Sequence, residues 1–253
     1  MLFVFSLTIT NPVYKAGGRP LRDTTTGVSI SNLVFNQHVD NIFEEANLQS
    51  SGLDITVFKK AVTGYYNLKI TNKLVLNSSL VTIVDLAKSS CTKRLWIVDL
   101  QNKKLVLNTW VAHGQRSGDD MASRFSNEVD SFESSLGFYV TDNVYIGKHG
   151  RSLRLNGMDE GFNNNANLRD IVLHAASYVC EGAIRDMGRL GRSQGCPAVA
   201  PQYSNRIIDM IKGKNVLFIN GNDDSYTSKY LDRNLAARIA FQDNFANPEK
   251  VML

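Results

Sequence analysis

Two residues stand out for the chemistry their types and settings could perform. His174 ends the apolar run 171–174, and Cys196 lies inside Gly191-Arg192-Ser193-Gln194-Gly195-Cys196-Pro197. A catalytic thiol needs a base to ionise it, backbone N–H donors for the oxyanion, and a backbone that a substrate can approach closely. Gly195 before the cysteine gives a permissive backbone and Pro197 after it a fixed one. On this reading His174 takes the proton of Cys196, thiolate is the main form at neutral pH, and the Gly195 and Cys196 N–H groups face the developing oxyanion. The other reading is equally physical. Free cysteine is among the most buried residue types, and a lone histidine at a strand end is commonly a satisfied structural residue. Residue type and spacing leave both open.

The neighbouring polar residues divide in the same way. Ser193 reads as a partner for His174 or for a substrate carboxylate, or else as a turn residue in a Gly-rich loop. Arg192 reads as a bidentate carboxylate holder or as a solvent-facing loop residue. Tyr145, Lys148 and His149, in YIGKHGRS, read as a groove lining or as plain surface. His113, after a strong strand, is expected to pack below the site. Cys91 and Cys180 lack flanking glycines like those of Cys196 and are expected to be inert.

Four histidines and three cysteines raise metal binding as a rival. The spacing is against it: there is no HExxH, no paired-Cys knuckle, and Asn222-Asp223-Asp224 is too short for a calcium loop. No GxxxxGK[ST] or GxGxxG loop appears, so no cofactor and no nucleotide are expected. Three cysteines without a CxxC pair also make no disulfide framework.

These residues must be placed by a fold, and the pattern of apolar residues indicates which. Residues 39–48 and 53–68 carry helical spacing, with Phe58, Ala61, Val62 and Tyr65 on one face. From Leu80 onward the runs LVTIVDLA, KRLWIVDL and KKLVLNTWVAHG read as strands, with a hairpin turn at Leu100-Gln101-Asn102-Lys103. Further short strands are expected at 136–140, 152–155, 171–174 and 216–220. They are too short and too evenly spaced for a parallel βαβ array. Residues 204–211 read as a helix capped by Ser204, and 229–241 as a weaker one.

Hydrophobic residues make up 43% of the 253 and charged residues 21%, as in ordinary globular proteins. The net charge of +4 is spread along the chain, with no basic-aromatic module, so nucleic acid is not an expected partner. The opening MLFVFSLTIT is too short to span a bilayer and reads either as an export remnant or as a first strand. Residues 11–35, rich in Gly, Thr, Ser and Asn, read as a linker or loosely held arm.

The run from Leu53 to about Asp223 resembles the L,D-transpeptidase catalytic domain, in the second of the domain families named after YkuD. The matching stretches are WVAHGQRSG (110–118), FSNEVDSFESSLGFY (125–139), YIGKHGRSLRL (145–155), VLHAASYV (172–179) and GRLGRSQGCPAV (188–199). The resemblance implies a mainly β (α+β) fold, a β-sandwich with a catalytic groove, preceded by N-terminal helices. The organisation it suggests is an arm or residual export segment over 1–35, a helical lead-in over 36–79, the catalytic domain over 80–223 and a helical tail over 224–253.

In the wider family a His is followed, after a gap, by Ser or Thr, His, Gly and the catalytic Cys. Those places fall here to His174, Ser193, Gln194, Gly195 and Cys196. Gln194, Pro197 and Ala198 depart from that pattern, and the basic residue common just downstream is missing, which leaves the third member of the catalytic set open. The resemblance thus implies His174, Cys196, Gly195 and Ser193 as catalytic, with Tyr145, His149, Arg192 and Gln194 lining the substrate groove. It implies peptidoglycan stem tetrapeptides as substrates, release of D-Ala through a Cys thioester, 3→3 cross-links, acylation by carbapenem β-lactams, and an extracytoplasmic place of action. A monomer is expected. Hydrolysis of the same bond (an L,D-carboxypeptidase) and a silent peptidoglycan-binding module are the alternatives. A papain-like order, with Cys before His, and a sortase TLxTC strand are both absent.

Overall fold

The computed structural model describes residues 24–75 and 77–246. The opening run 1–10 and most of the expected arm lie outside them. Helix α1 (Thr24–Glu45) begins inside the stretch read as a linker, and α2 (Ile55–Ile70) follows. The Gly, Thr and Ser content of 24–35 suggested a loop, but Phe35 and Val39 bury their side chains with Ile42 and Phe43 on the main core. Tertiary burial overrides weak local propensity there. Asp54 caps α2 by accepting the Thr56 N–H at 2.7 Å. The predicted face of Phe58, Ala61, Val62 and Tyr65 is buried.

The strands are β1 (Leu80–Asp85), β2 (Leu95–Asp99), β3 (Lys104–Thr109), β4 (Val111–Ala112), β5 (Gly137–Gly147), β6 (Gly150–Gly157), β7 (Val172–Ala175), β8 (Ala198–Val199) and β9 (Val216–Asn220). Between them lie α3 (Glu181–Met187) and α4 (Pro201–Ile211), and α5 (Arg233–Ala246) closes the described chain. The β-rich body expected from the sequence is therefore present, with helices leading it. Helix α4 starts three residues earlier than expected: Pro201 takes the first turn, where its missing N–H costs nothing, and Ser204 is a buried helical residue rather than the cap. The sequence pattern missed α3 and the two-residue strand β8, which are too short to show a period, and it read β3 and β4 as one run.

All nine strands form one sheet in the order β3-β2-β1-β9-β5-β6-β7-β8-β4. Its two edge strands, β3 and β4, are consecutive in the chain with only Trp110 between them. A sheet whose opposite edges are joined by one residue must curl back on itself. Strand alternation then sends Ile83, Trp96, Phe138 and Phe218 to the outer face, under α1, α2 and α5. Val84, Ile97, Tyr139, Leu173 and Leu217 point into the curl, where α4 adds Ile207, Ile208 and Ile211.

Two pairs are parallel, β1 with β9 and β7 with β8. The second is a single crossover, β7-α3-β8, set among antiparallel neighbours rather than part of a repeated array.

Gly64 shows how tightly α2 sits on the sheet: a Cβ there would lie 2.0 Å from Cε1 of Phe138, itself stacked on Phe218 at 4.4 Å. Alanine would gain about 1 kcal/mol of helix propensity, but overpacking costs roughly 1–3 kcal/mol. Gly64→Ala should therefore lower the urea midpoint. A midpoint at or above the parent's would show that the helix shifts without cost.

Candidate active site

The parallel pairing of β8 with β7 sets the centre of the site. Its register aligns His174 with Ala198, and so brings Cys196, two residues earlier, beside Val172. The Val172 N–H donates to Cys196 Sγ at 3.5 Å, and the thiol donates to the Asp170 carbonyl at the same distance. Two residues along a strand are about 6.6 Å, so His174 and Cys196 share a face but stand one step apart. No hydrogen bond joins them among the described residues. Both line a cavity of 780 Å³.

The cysteine loop is held by its own polar groups. Ser193 Oγ donates to the Cys196 carbonyl at 2.6 Å and accepts the Gly195 N–H at 3.1 Å. Ser193 thus acts on the loop rather than on His174, and the Gly195 N–H expected to face an oxyanion is already used. The Cys196 N–H is left as the backbone donor beside the sulfur. Gly195 has φ +116°, and a Cβ there would lie 2.8 Å from the Glu133 carbonyl. Both the conformation and the space require glycine.

His174 is buried, with Nδ1 2.9 Å from the Ala175 carbonyl. A carbonyl only accepts, so Nδ1 carries the proton and Nε2 the lone pair. Burial pushes its pKa down, against that hydrogen bond, with smaller depressions from His149 and Lys148. Burial pushes the Cys196 thiol up, partly offset by the Val172 N–H and by Arg169. Both shifts favour the neutral thiol and neutral imidazole, contrary to the expectation of a standing thiolate.

The β5–β6 hairpin leans over this pair. His149, at its exposed tip, stacks on His174 with ring centroids 4.3 Å apart and planes at 21°. Tyr145 lies under the Arg154 guanidinium at 4.5 Å. Tyr145, His149, Arg192, Ser193 and Gln194 all line the cavity with His174 and Cys196, so residues distant in sequence meet here. Gly195 lies within the loop. Arg192 is already engaged: its Nη1 donates to the Gly118 carbonyl at 2.9 Å and to Asp119 at 2.8 Å.

Below the loop His113 is buried, as its position after a strand suggested. Its carbonyl accepts the Ser193 N–H at 2.9 Å. Arg94 Nη2 donates to His113 Nδ1 at 2.7 Å, which leaves the other ring nitrogen to donate to the Gly118 carbonyl. Arg94 is wholly buried, and burial brings its pKa down to about 10, so it stays charged at neutral pH. Cys180 caps α3 by accepting the Ala183 N–H, and Cys91 donates to the Gly188 carbonyl at 3.1 Å. Neither lines the cavity. Among the described residues no group of three or more His, Cys, Asp or Glu could hold a metal ion.

Sequence reasoning missed Arg169, Asp170 and Tyr178, which also line the cavity. The available signal was a charged pair placed directly before the apolar strand that ends in His174.

The model of the L,D-transpeptidase catalytic domain family (the second YkuD group) matches residues 49–220. No curated protein matches the chain. Among solved structures, an L,D-transpeptidase from Mycobacterium smegmatis is 10% identical over 56% of this chain and 59% of its own, with a TM-score of 0.35. One from Stackebrandtia nassauensis is 13% identical over 64% and 69%, with a TM-score of 0.36. The helical cell shape determining protein Pgp2 from Campylobacter jejuni is 12% identical over 74% and 66%, with a TM-score of 0.37. The chain spans less than two thirds of the mycobacterial protein's length.

The His113 position predicts an acid-sensitive stability. Burial and then the Arg94 charge lower its pKa from 6.5 to about 4. The unfolded chain binds that proton first as pH falls, so stability is present above 6.5 and is lost between 6.5 and about 4, by about 3 kcal/mol for this group. His38 and His174, also lowered, add in the same direction. Urea unfolding across that window should therefore show a shallower pH slope for His113→Gln than for the parent. Equal slopes would remove His113 as a cause.

Proposed function

The chain belongs to the L,D-transpeptidase catalytic-domain family, and on that premise we propose that it acts on peptidoglycan stem tetrapeptides with Cys196 as nucleophile and His174 as base. The observation that carries this reading is the meeting of His174 and Cys196 in one cavity through the β7–β8 register. The whole catalytic set comes from segments that the family match spans.

The chemistry follows from the protonation states. The neutral His174 presents a lone pair on Nε2, and the Cys196 thiol is neutral too, so the proton moves to His174 as sulfur attacks rather than beforehand. A small side-chain rotation closes the one-step offset between them. Sulfur adds to the carbonyl that joins the third stem residue to the terminal D-Ala, and the Cys196 N–H faces the oxyanion. When the intermediate collapses, the C–N bond breaks, His174 returns its proton to the departing D-Ala amine, and a thioester remains.

An acceptor amine from a second stem then adds to the thioester, passes its proton to His174 and expels the sulfur. That gives a 3→3 cross-link; water in place of the amine gives a carboxypeptidase product. The Ala175 carbonyl, which fixes the His174 tautomer, fills the place of the third member of the set. Tyr145, His149 and Gln194 line the stem-peptide groove, and Arg192 joins them once it exchanges Asp119 for a substrate carboxylate.

The catalytic unit on this reading is 80–223, with 36–79 leading it and 224–253 trailing. Its substrate lies in the cell envelope, so we place its action outside the cytoplasmic membrane. Among the described residues no helix is long and apolar enough to cross a membrane.

Incubation with a disaccharide tetrapeptide should release D-Ala and leave a thioester on Cys196, seen by mass spectrometry. Absence of both would leave a peptidoglycan-binding module. A carbapenem should acylate Cys196 and neither Cys91 nor Cys180. Cys196→Ala should lose all acylation; His174→Ala should acylate about 100-fold to 10,000-fold more slowly at neutral pH, as loss of a general base does, and recover partly as pH rises. An adduct mapped to another cysteine, or an unchanged rate in His174→Ala, would overturn the assignment.

A further inference from the structure

Arg169 lies in the segment between β6 and β7, one residue before Asp170. Its guanidinium reaches into the segment 126–135. Nη1 donates to the Ser126 carbonyl at 2.5 Å and to Ser135 Oγ at 3.1 Å; Nη2 donates to Ser131 Oγ at 3.0 Å and to the Glu133 carbonyl at 2.6 Å. All four acceptors are neutral. The Glu133 carboxylate pairs instead with Arg124, and no ion pair to Arg169 exists among the described residues.

The fork of this arginine is therefore filled by neutral acceptors, and the Glu133 and Glu128 carboxylates act on its charge from a distance without forming an ion pair with it. A filled fork cannot clasp a substrate carboxylate, so what it offers the cavity is a field. Its place makes that field relevant. It lines the cavity with Cys196, and its Nη2 lies 3.3 Å from where a Gly195 side chain would stand. The Glu133 carbonyl it holds is the atom that closes on Gly195 at 2.8 Å. Arg169 thus reaches the cysteine loop both through that carbonyl and through space.

We propose that Arg169 is a positioning residue for Cys196: it props the Glu133 carbonyl against Gly195, and its unpaired charge stabilises the Cys196 thiolate formed during attack. The inference rests on Cys196 being the nucleophile. A half-buried thiol that is largely desolvated resists ionisation, and a cation already fixed in place lowers that resistance without reorganising during the reaction. Arginine keeps its charge where lysine can lose it. The other groups that face the sulfur are Asp170, which opposes Arg169, Lys148, which assists it, and His174; Tyr139 and Tyr178 are pushed up by burial and stay neutral.

The test is alkylation of Cys196 in the full chain against pH, mapped to its peptide, with neutral iodoacetamide and with anionic iodoacetate. Arg169→Met should move the ionisation midpoint up by about one unit, so that iodoacetamide reacts about tenfold more slowly near neutral pH, and iodoacetate should lose more. Arg169→Lys should recover most of both. Circular dichroism and thermal melts check folding. A folded Arg169→Met with the parent profile and parent reagent ratio overturns the proposal, as does an Arg169→Lys as impaired as Arg169→Met, which would mean that the fork alone matters.

If Arg169→Met does not fold, the parent decides. Its iodoacetate-to-iodoacetamide rate ratio should exceed that of N-acetylcysteinamide, and a ratio at or below that value overturns the proposal. Alkylation reports the thiol without turnover. A failed field therefore leaves tetrapeptide acylation of the parent intact, whereas a failed nucleophile reading shows no thioester even where the Arg169 profile shifts.

Discussion

The parallel hydrogen bonding of β8 to β7 is the constraint on which the cavity and the cysteine loop depend. Two residues of β8 are enough to fix the register, because the β4 edge strand closes on its other side. That register puts Cys196 level with Val172 and one step from His174. The chain between the strands leaves through α3 and returns as the cysteine loop, so loop and histidine are positioned by the same ladder. A slip of one residue would turn Cys196 to the opposite face of the sheet.

Beneath this ladder the protein uses buried polar groups where apolar packing would not specify a loop. Arg94 holds His113, and the His113 carbonyl holds Ser193; Ser193 in turn closes on Gly195 and Cys196. From the other side Arg169 holds Glu133, whose carbonyl meets Gly195. Two arginines therefore support the loop from two directions. Arg94 is fully buried and Arg169 half-buried, and hydrogen bonds to backbone carbonyls and side chains offset the cost of removing each from water.

The electrostatics of the site follow from the same burial. Desolvation lowers His174 and raises Cys196, so the resting pair is neutral and the thiol is held in reserve rather than exposed as a thiolate. The His149 ring stacks on His174 from the open side, on a hairpin whose Arg151 is tied to Asp209 of α4 at 2.6 Å. On the mechanism proposed above, reactivity depends on substrate and proton arriving together.

By itself the sequence determined the elements with enough length to show a period. The face of α2, the strands β1, β2, β3 and β9 and the hairpin turn at Lys103 were all legible, because burial imposes a repeat of 3.6 or 2 on apolar residues. Recognisable stretches around Cys196 and His149 also marked the family. Only the tertiary structure decided the rest. Strands of two residues carry no period, the helix over 24–35 is stabilised by burial of Phe35 rather than by propensity, and Pro201 rather than Ser204 opens α4. The partners of Ser193, the direction of the thiol shift and the place of Arg169 depend on groups far apart in the chain. Hydrogen-bond partnership and desolvation are properties of distance in space, and the order of residues does not encode that distance locally.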